Sequence, residues 1–219
     1  MNYHARLLGF MAILLTLVIG CTSKDSGLAK HTPCEETEVL LNTEDGCDDG
    51  VYPPLETSEY VLPYPPGRAY PTGLTNCSVS YHAEGKSDEF AVDFDMPNRT
   101  EFYAIRAGVV VEKVEDRPNS NDGSSGNYVH IKHSDNTFAL YYHSPPGGIY
   151  VDVGETVKQG QLLGITGTSG LAGYPHLHLT VVKDQTTYPY QGVPISFKNV
   201  IPRHSRLKSN YTSYTACDY

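Results

Sequence analysis

The run Tyr128-Val129-His130-Ile131-Lys132-His133-Ser134-Asp135-Asn136-Thr137-Phe138-Ala139-Leu140-Tyr141-Tyr142-His143 places two segments of β-branched and aromatic residues on either side of Ser134-Asp135-Asn136. Strand-formers flanking a short polar turn predict an antiparallel hairpin. The same rhythm extends outward. Upstream are Phe90-Ala91-Val92-Asp93-Phe94 and Gly108-Val109-Val110-Val111-Glu112-Lys113-Val114, and downstream is Leu179-Thr180-Val181-Val182. Asn119 to Gly126 is almost wholly Asn, Ser, Asp and Gly, the chemistry of a turn. With no amphipathic helical stretch of any length, the expected class is all-β, built of antiparallel sheets.

Two segments share a cadence. Val153 to Gly164 reads as a hairpin folded over a small barrel with glycines at positive-φ positions, and Ala104 to Val110 echoes it faintly. The echo is compatible with a barrel-sandwich architecture. Tyr60 to Gly67 contains three prolines, which exclude helix and favour an extended edge or loop.

At 219 residues and 39% hydrophobic content, the chain can bury one core and still spare residues for a leader and linker. Arg6 followed by the apolar run Leu7 to Ile19 reads as an export signal, too short to span a bilayer comfortably. It ends in Val18-Ile19-Gly20-Cys21, which resembles the bacterial lipobox. The expected organisation is therefore a signal peptide at 1–20, an acidic tether at 21–57, a folded domain at 58–200 and a tail at 201–219. The tether would hold the domain off the membrane through lipid on Cys21. Thr22 in place of Asp suits outer-membrane sorting in a Gram-negative cell. Cys34, Cys47, Cys77 and Cys217 remain, an even number in an exported chain, so two disulfides are expected, with three connectivities open. The net charge of −9 argues against a nucleic-acid partner.

His176-Leu177-His178 leads into a strand, so both imidazoles fall on one face. Such a pair becomes a metal site only with a third ligand from elsewhere. Asp93 lies between Val92 and Phe94, and a carboxylate buried there is costly unless paired or bound to a cation. His82 lies upstream of it, with ten residues between. Hydrolytic zinc commonly takes three His or carboxylate ligands and keeps a fourth position for water.

His82, Ala91-Val92-Asp93-Phe94, Tyr141-Tyr142-His143 and His176-Leu177-His178, in that order, resemble the zinc metallo-endopeptidase domain of the lysostaphin-type family, over roughly residues 58–183. The resemblance implies a barrel-sandwich fold, Zn2+ held by His82, Asp93 and His178, and catalytic, non-ligand roles for His143 and His176. It also implies a peptidoglycan peptide as substrate. The chain departs from the common pattern in one place. Many members place the first ligand and the Asp four residues apart, so the ten residues here require a longer loop to bring His82 back. A non-catalytic peptidoglycan-binding or hydrolase-activating lipoprotein is the alternative, although such members typically lose a ligand and here all five positions are filled.

Other polar clusters are given structural readings. His130 and His133, three apart in one strand, face opposite ways. Ser124-Ser125-Gly126 and Thr168-Ser169-Gly170 are turns, and Asp95, on the same side as Asp93, is a surface carboxylate or a support to the site rather than a ligand. A groove between Pro118–Asn127 and Pro145–Ile149 would suit an extended peptide.

Overall fold

The computed structural model describes residues 32–35, 37, 47, 50–209 and 211–219. The export signal and Cys21 lie outside the described residues. Twelve strands follow in order: β1 (Ala69–Thr75), β2 (Val92–Phe94), β3 (Glu101–Tyr103), β4 (Gly108–Val114), β5 (Asn127–Lys132), β6 (Thr137–Ser144), β7 (Thr156–Val157), β8 (Leu162–Ile165), β9 (Leu177–Lys183), β10 (Gln191–Gly192), β11 (Val200–Ile201) and β12 (Thr212–Ala216). Among the described residues two single-turn 3-10 helices accompany them, Leu55–Thr57 ahead of β1 and Ser80–His82 between β1 and β2. Among the described residues no helix is long and apolar enough to cross a membrane.

Ten strands form one antiparallel sheet in the order β11-β12-β1-β2-β9-β6-β5-β4-β7, with β10 on β9. The expected hairpin is β5–β6, closed by the His133 N–H donating to the Thr137 carbonyl at 2.8 Å. Alternation along the central strands sends Val92, Phe94, Leu177, Leu179, Val181, Val129, Ile131, Ala139 and Tyr141 into one core. A second sheet, β3–β8, adds Phe102 and Leu163 to that core. The Phe102 ring stacks on Tyr141 with centroids 5.7 Å apart. The opposite face carries a second, smaller apolar cluster of Phe138, Leu140, Val182 and Tyr190, and beside it the polar residues of β2, β9 and β6.

The two segments of shared cadence are partners. Val153 to Gly164 does not form a hairpin, because the Lys158–Gln161 turn carries the chain from β7 in the large sheet to β8 in the small one. Ala104 to Val110 makes the reverse passage from β3 to β4. The two passages run side by side, joined by Ala104 N–H to the Gln161 carbonyl and Gly160 N–H to the Ala104 carbonyl, both at 2.8 Å.

The expected tether and tail are both tied to the domain where they are described. Leu55 is fully buried in the core. Disulfides join Cys34 to Cys217 and Cys47 to Cys77, which selects one of the three connectivities. Residues 212–216 pair with β1 and bury Tyr214 completely. The alternation Thr212-Ser213-Tyr214-Thr215-Ala216 carries that strand signal in plain form.

His130 and His133 are structural, as expected. The His130 Nδ1–H donates to Glu112 Oε2 at 3.0 Å and its Nε2 accepts from the Tyr142 hydroxyl at 3.2 Å. Burial outweighs the attraction of Glu112 and lowers the His130 pKa to about 4. The His133 Nδ1–H donates to the Ala107 carbonyl at 2.8 Å, and burial lowers its pKa as well. Between about pH 4 and pH 6.5 the unfolded chain therefore binds protons that the folded chain excludes, so stability falls as pH falls through that window. Urea denaturation of chelated protein should show this loss between pH 7 and pH 5. His130→Gln should remove about 1–2 kcal/mol of it; an unchanged pH slope in that variant would count against the assignment.

Candidate active site

The pairing of β2 with β9 sets Asp93 opposite His178, and the pairing of β9 with β6 sets His178 opposite Tyr142. Because Val92, Phe94, Leu177 and Leu179 point into the core, Asp93 and His178 share the other face. The Asp93 carboxylate is 5% exposed, and imidazoles surround its Oδ1. His178 Nδ1 is 2.9 Å away, His82 Nε2 3.4 Å and His176 Nε2 3.8 Å. Burial alone would raise the Asp93 pKa, but hydrogen bonds from His178 and His82 outweigh it and hold the carboxyl well below its ordinary value. Burial likewise works against charge on His178, and Asp88 and Asp93 together push it up to about 10.

Each imidazole is aimed by its other nitrogen. The His82 Nδ1–H donates to the Ala91 carbonyl at 3.1 Å, which turns Nε2 toward Asp93. His178 presents Nδ1 to Asp93 while its Nε2 lies 3.4 Å from Asp88 Oδ1. His82 comes from a 3-10 turn rather than a strand. The intervening run folds back as successive turns, with Lys86 N–H donating to the Ala83 carbonyl (3.1 Å), Glu89 to Lys86 (3.1 Å) and Ala91 to Asp88 (2.9 Å). The long gap is thus closed by ordered backbone.

His143 reaches the site through a β-bulge. Tyr128 pairs with Tyr142 and Asn127 with Ser144, so His143 is the unpaired extra residue, with φ at +77°. Strict alternation would send Tyr142 and His143 to opposite faces, yet both line the same groove. The left-handed backbone is a strained conformation for a non-glycine residue, of the kind concentrated at functional sites. The His143 Nδ1–H donates to the Ser169 carbonyl at 2.8 Å. Burial, then repulsion from His176 and His178, lowers its pKa to about 3, so the ring is neutral with Nε2 free to accept. The His176 Nδ1–H donates to the Tyr174 carbonyl at 2.8 Å, and the His143 and His176 ring centroids lie 4.6 Å apart.

All five expected site residues therefore converge in one groove of about 710 Å³. Of the two loops expected as its walls, Asn121, Gly123, Ser124 and Ser125 line it, while Pro145–Ile149 does not; Pro145 instead crowds Gly167 and Gly148. Tyrosines are prominent in the rest of the wall, with Tyr81, Tyr174, Tyr188, Tyr190 and Tyr211 beside Leu74 and Leu171. Asp95 does not line the groove but accepts a hydrogen bond from the hydroxyl of Tyr174, which does. Ser169, read as part of a turn, holds His143 by its carbonyl, while its hydroxyl donates to the Ser144 carbonyl at 2.6 Å.

His82, Asp93 and His178 each offer one ligand atom, all within 4.8 Å of one another. Two imidazole nitrogens and one carboxylate oxygen fit zinc, and a buried carboxylate surrounded by imidazoles is a site prepared for a cation. The sequence from residue 87 to 189 matches the model of Peptidase family M23. Those residues belong to that family. The match contains Asp93, His143, His176 and His178, while His82 lies just ahead of it, and the M23 zinc site is the His82, Asp93, His178 set. Relatives include the peptidoglycan DD-endopeptidases ShyA and ShyC of Vibrio cholerae. They are 36% identical over 90 residues and 40% over 86, covering 41% and 39% of this chain. The matched stretch spans only 19% and 18% of those relatives' lengths. The catalytic domain of lysostaphin from Staphylococcus simulans is 28% identical, covering 63% of this chain and 90% of that one, with a TM-score of 0.40.

Gly126 tests the support of His143. Its φ is +70°, and a Cβ there would lie 2.4 Å from the Ser169 carbonyl oxygen. Gly126→Ala should cost about 1–3 kcal/mol of stability and shift the His143 imidazole resonances by NMR, while zinc content stays near that of the parent. Unmoved His143 signals would detach that ring from the Ser169 contact.

Proposed function

We infer that this protein is a zinc-dependent endopeptidase that hydrolyses peptide bonds in peptidoglycan cross-links or stems. The observation that carries the reading is the pair of non-ligand imidazoles, His143 and His176, beside a complete His-Asp-His metal set. When bound, zinc supplies Lewis acidity for amide hydrolysis. Both His143 and His176 have Nδ1–H committed to a backbone carbonyl. Each therefore directs the Nε2 lone pair into the groove, where it can accept a proton from water and return it to the departing amine. Sharing the work between two rings fits the neutral state imposed on His143 by burial.

The open, tyrosine-walled groove suits an extended peptide, and aromatic faces give it contact area at small entropic cost. The peptidoglycan substrate follows from the relatives, and their DD-endopeptidase names put the D,D cross-link first among the bonds to be tested. Two disulfides suit an extracytoplasmic, oxidising setting, as cell-wall chemistry requires. Lipid attached at Cys21 would keep the enzyme at a bacterial membrane facing the wall. The non-catalytic alternative is disfavoured because both proton-handling histidines are present and aimed.

Purified protein should bind about one zinc per chain and solubilise peptidoglycan, with chelation abolishing both. His176→Ala should retain zinc and lose about 10²–10⁴-fold in turnover. His178→Ala should lose the metal and the activity together; digestion that survived in that variant would sink the reading. Mass spectrometry of the released fragments identifies the bond.

A further inference from the structure

We propose that Asp88 and Tyr190 are positioning residues that orient His178 for the metal. Asp88 Oδ1 lies 3.4 Å from His178 Nε2, the nitrogen opposite the one that faces Asp93. The same carboxylate oxygen accepts a short hydrogen bond from the Tyr190 hydroxyl. The three groups form a line from Tyr190 through Asp88 to His178 and end at the metal position. Asp88 is not a fourth ligand, since the atoms that converge are those of His82, Asp93 and His178. It acts through His178.

The carboxylate is held in place by its surroundings. It lies in the ten-residue run between His82 and Asp93, whose turns are closed by backbone hydrogen bonds. Cys77 N–H donates to the Glu89 carbonyl at 2.6 Å, which fastens the run beside the Cys47–Cys77 disulfide. From the other side the segment that carries Tyr190 is pressed against the run. A Cβ on Gly192 would lie 3.2 Å from both the Ser87 carbonyl oxygen and the Phe90 ring. The Asp88 side chain is 17% exposed and Tyr190 9%, so little water competes for the contact. An imidazole whose far N–H is bound to a carboxylate is fixed in tautomer and ring angle and is a stronger donor to a metal, and removing such a partner commonly costs about 10–100-fold in affinity. On this view the extra length of the first-ligand loop delivers a carboxylate to the last ligand.

The proposal rests on His178 being a ligand, and the test separates the two. Zinc affinity is measured on the full chain by competition with a chromophoric chelator, and cobalt spectra of the same proteins report ligand geometry. Asp88→Ala should weaken zinc by about 10–100-fold and shift the cobalt bands. Asp88→Asn, whose amide oxygen can still accept the His178 N–H, should recover part of the affinity. Tyr190→Phe keeps the buried ring and should weaken zinc by a smaller factor, so the idea stays testable if Asp88→Ala misfolds. Parental affinity in Asp88→Ala, or equal losses in the Ala and Asn variants, would overturn the positioning role. Parental affinity in His178→Ala would overturn the ligand assignment beneath it.

Discussion

A carboxylate buried between Val92 and Phe94 has to be compensated, and much of this structure can be understood as the compensation. Asp93 is 5% exposed and meets three imidazoles around one oxygen. Removing a partner from such a group leaves an uncompensated charge in low dielectric, which is far more costly than any single contact gains. The register of β2 on β9 is the device that prevents this. A slip of one residue would turn His178 into the core and set Leu177 or Leu179 beside the carboxylate. The apolar pattern and the metal site therefore enforce the same register from opposite faces of the sheet.

The sheet supplies only two of the five groups by regular alternation. His82 comes from a 3-10 turn, His176 from the residue before β9 and His143 from a bulge with left-handed backbone. Each irregular group is held by a hydrogen bond from its Nδ1–H to a backbone carbonyl, of Ala91, Tyr174 and Ser169 respectively. One solution thus recurs three times: the far nitrogen is tied to rigid main chain and the near nitrogen faces the groove. His178 differs, since its far nitrogen faces the Asp88 carboxylate rather than a main-chain carbonyl.

What was legible in the sequence follows from this division. The all-β class, the β5–β6 hairpin and the common orientation of His176 and His178 are consequences of period-two alternation, which sequence displays directly, whereas the register that sets Asp93 opposite His178 is not. His82 and His176 stood out as candidates by residue type, but their roles and that of His143 came from family resemblance, because no periodicity connects a turn, a bulge and a strand end. Ser169 and Asp88 stayed hidden for a related reason. One acts through a main-chain carbonyl, which has no residue-type signature, and the other lies in a loop whose fold depends on Cys47, Cys77 and Gly192, distant in sequence. The Val153–Gly164 segment was misread because a hairpin and a sheet-to-sheet passage use the same glycine turns. Only the partner strands distinguish them.

The parts of the chain with the weakest chemical signal hold the irregular groups still. β12 closes on β1, and β1 is the strand that flanks β2 and Asp93. The Thr75 hydroxyl, at the end of β1, lies 2.7 Å from that of Ser209, and the Asn76 amide donates to the Leu207 carbonyl at 3.0 Å. The C-terminal segment therefore braces the start of the loop that carries His82. Cys77 then ties that loop to Cys47, and Cys217 ties the end of β12 to Cys34. A first ligand delivered by a turn gains no register from a sheet, and here covalent and main-chain ties to both ends of the chain replace it.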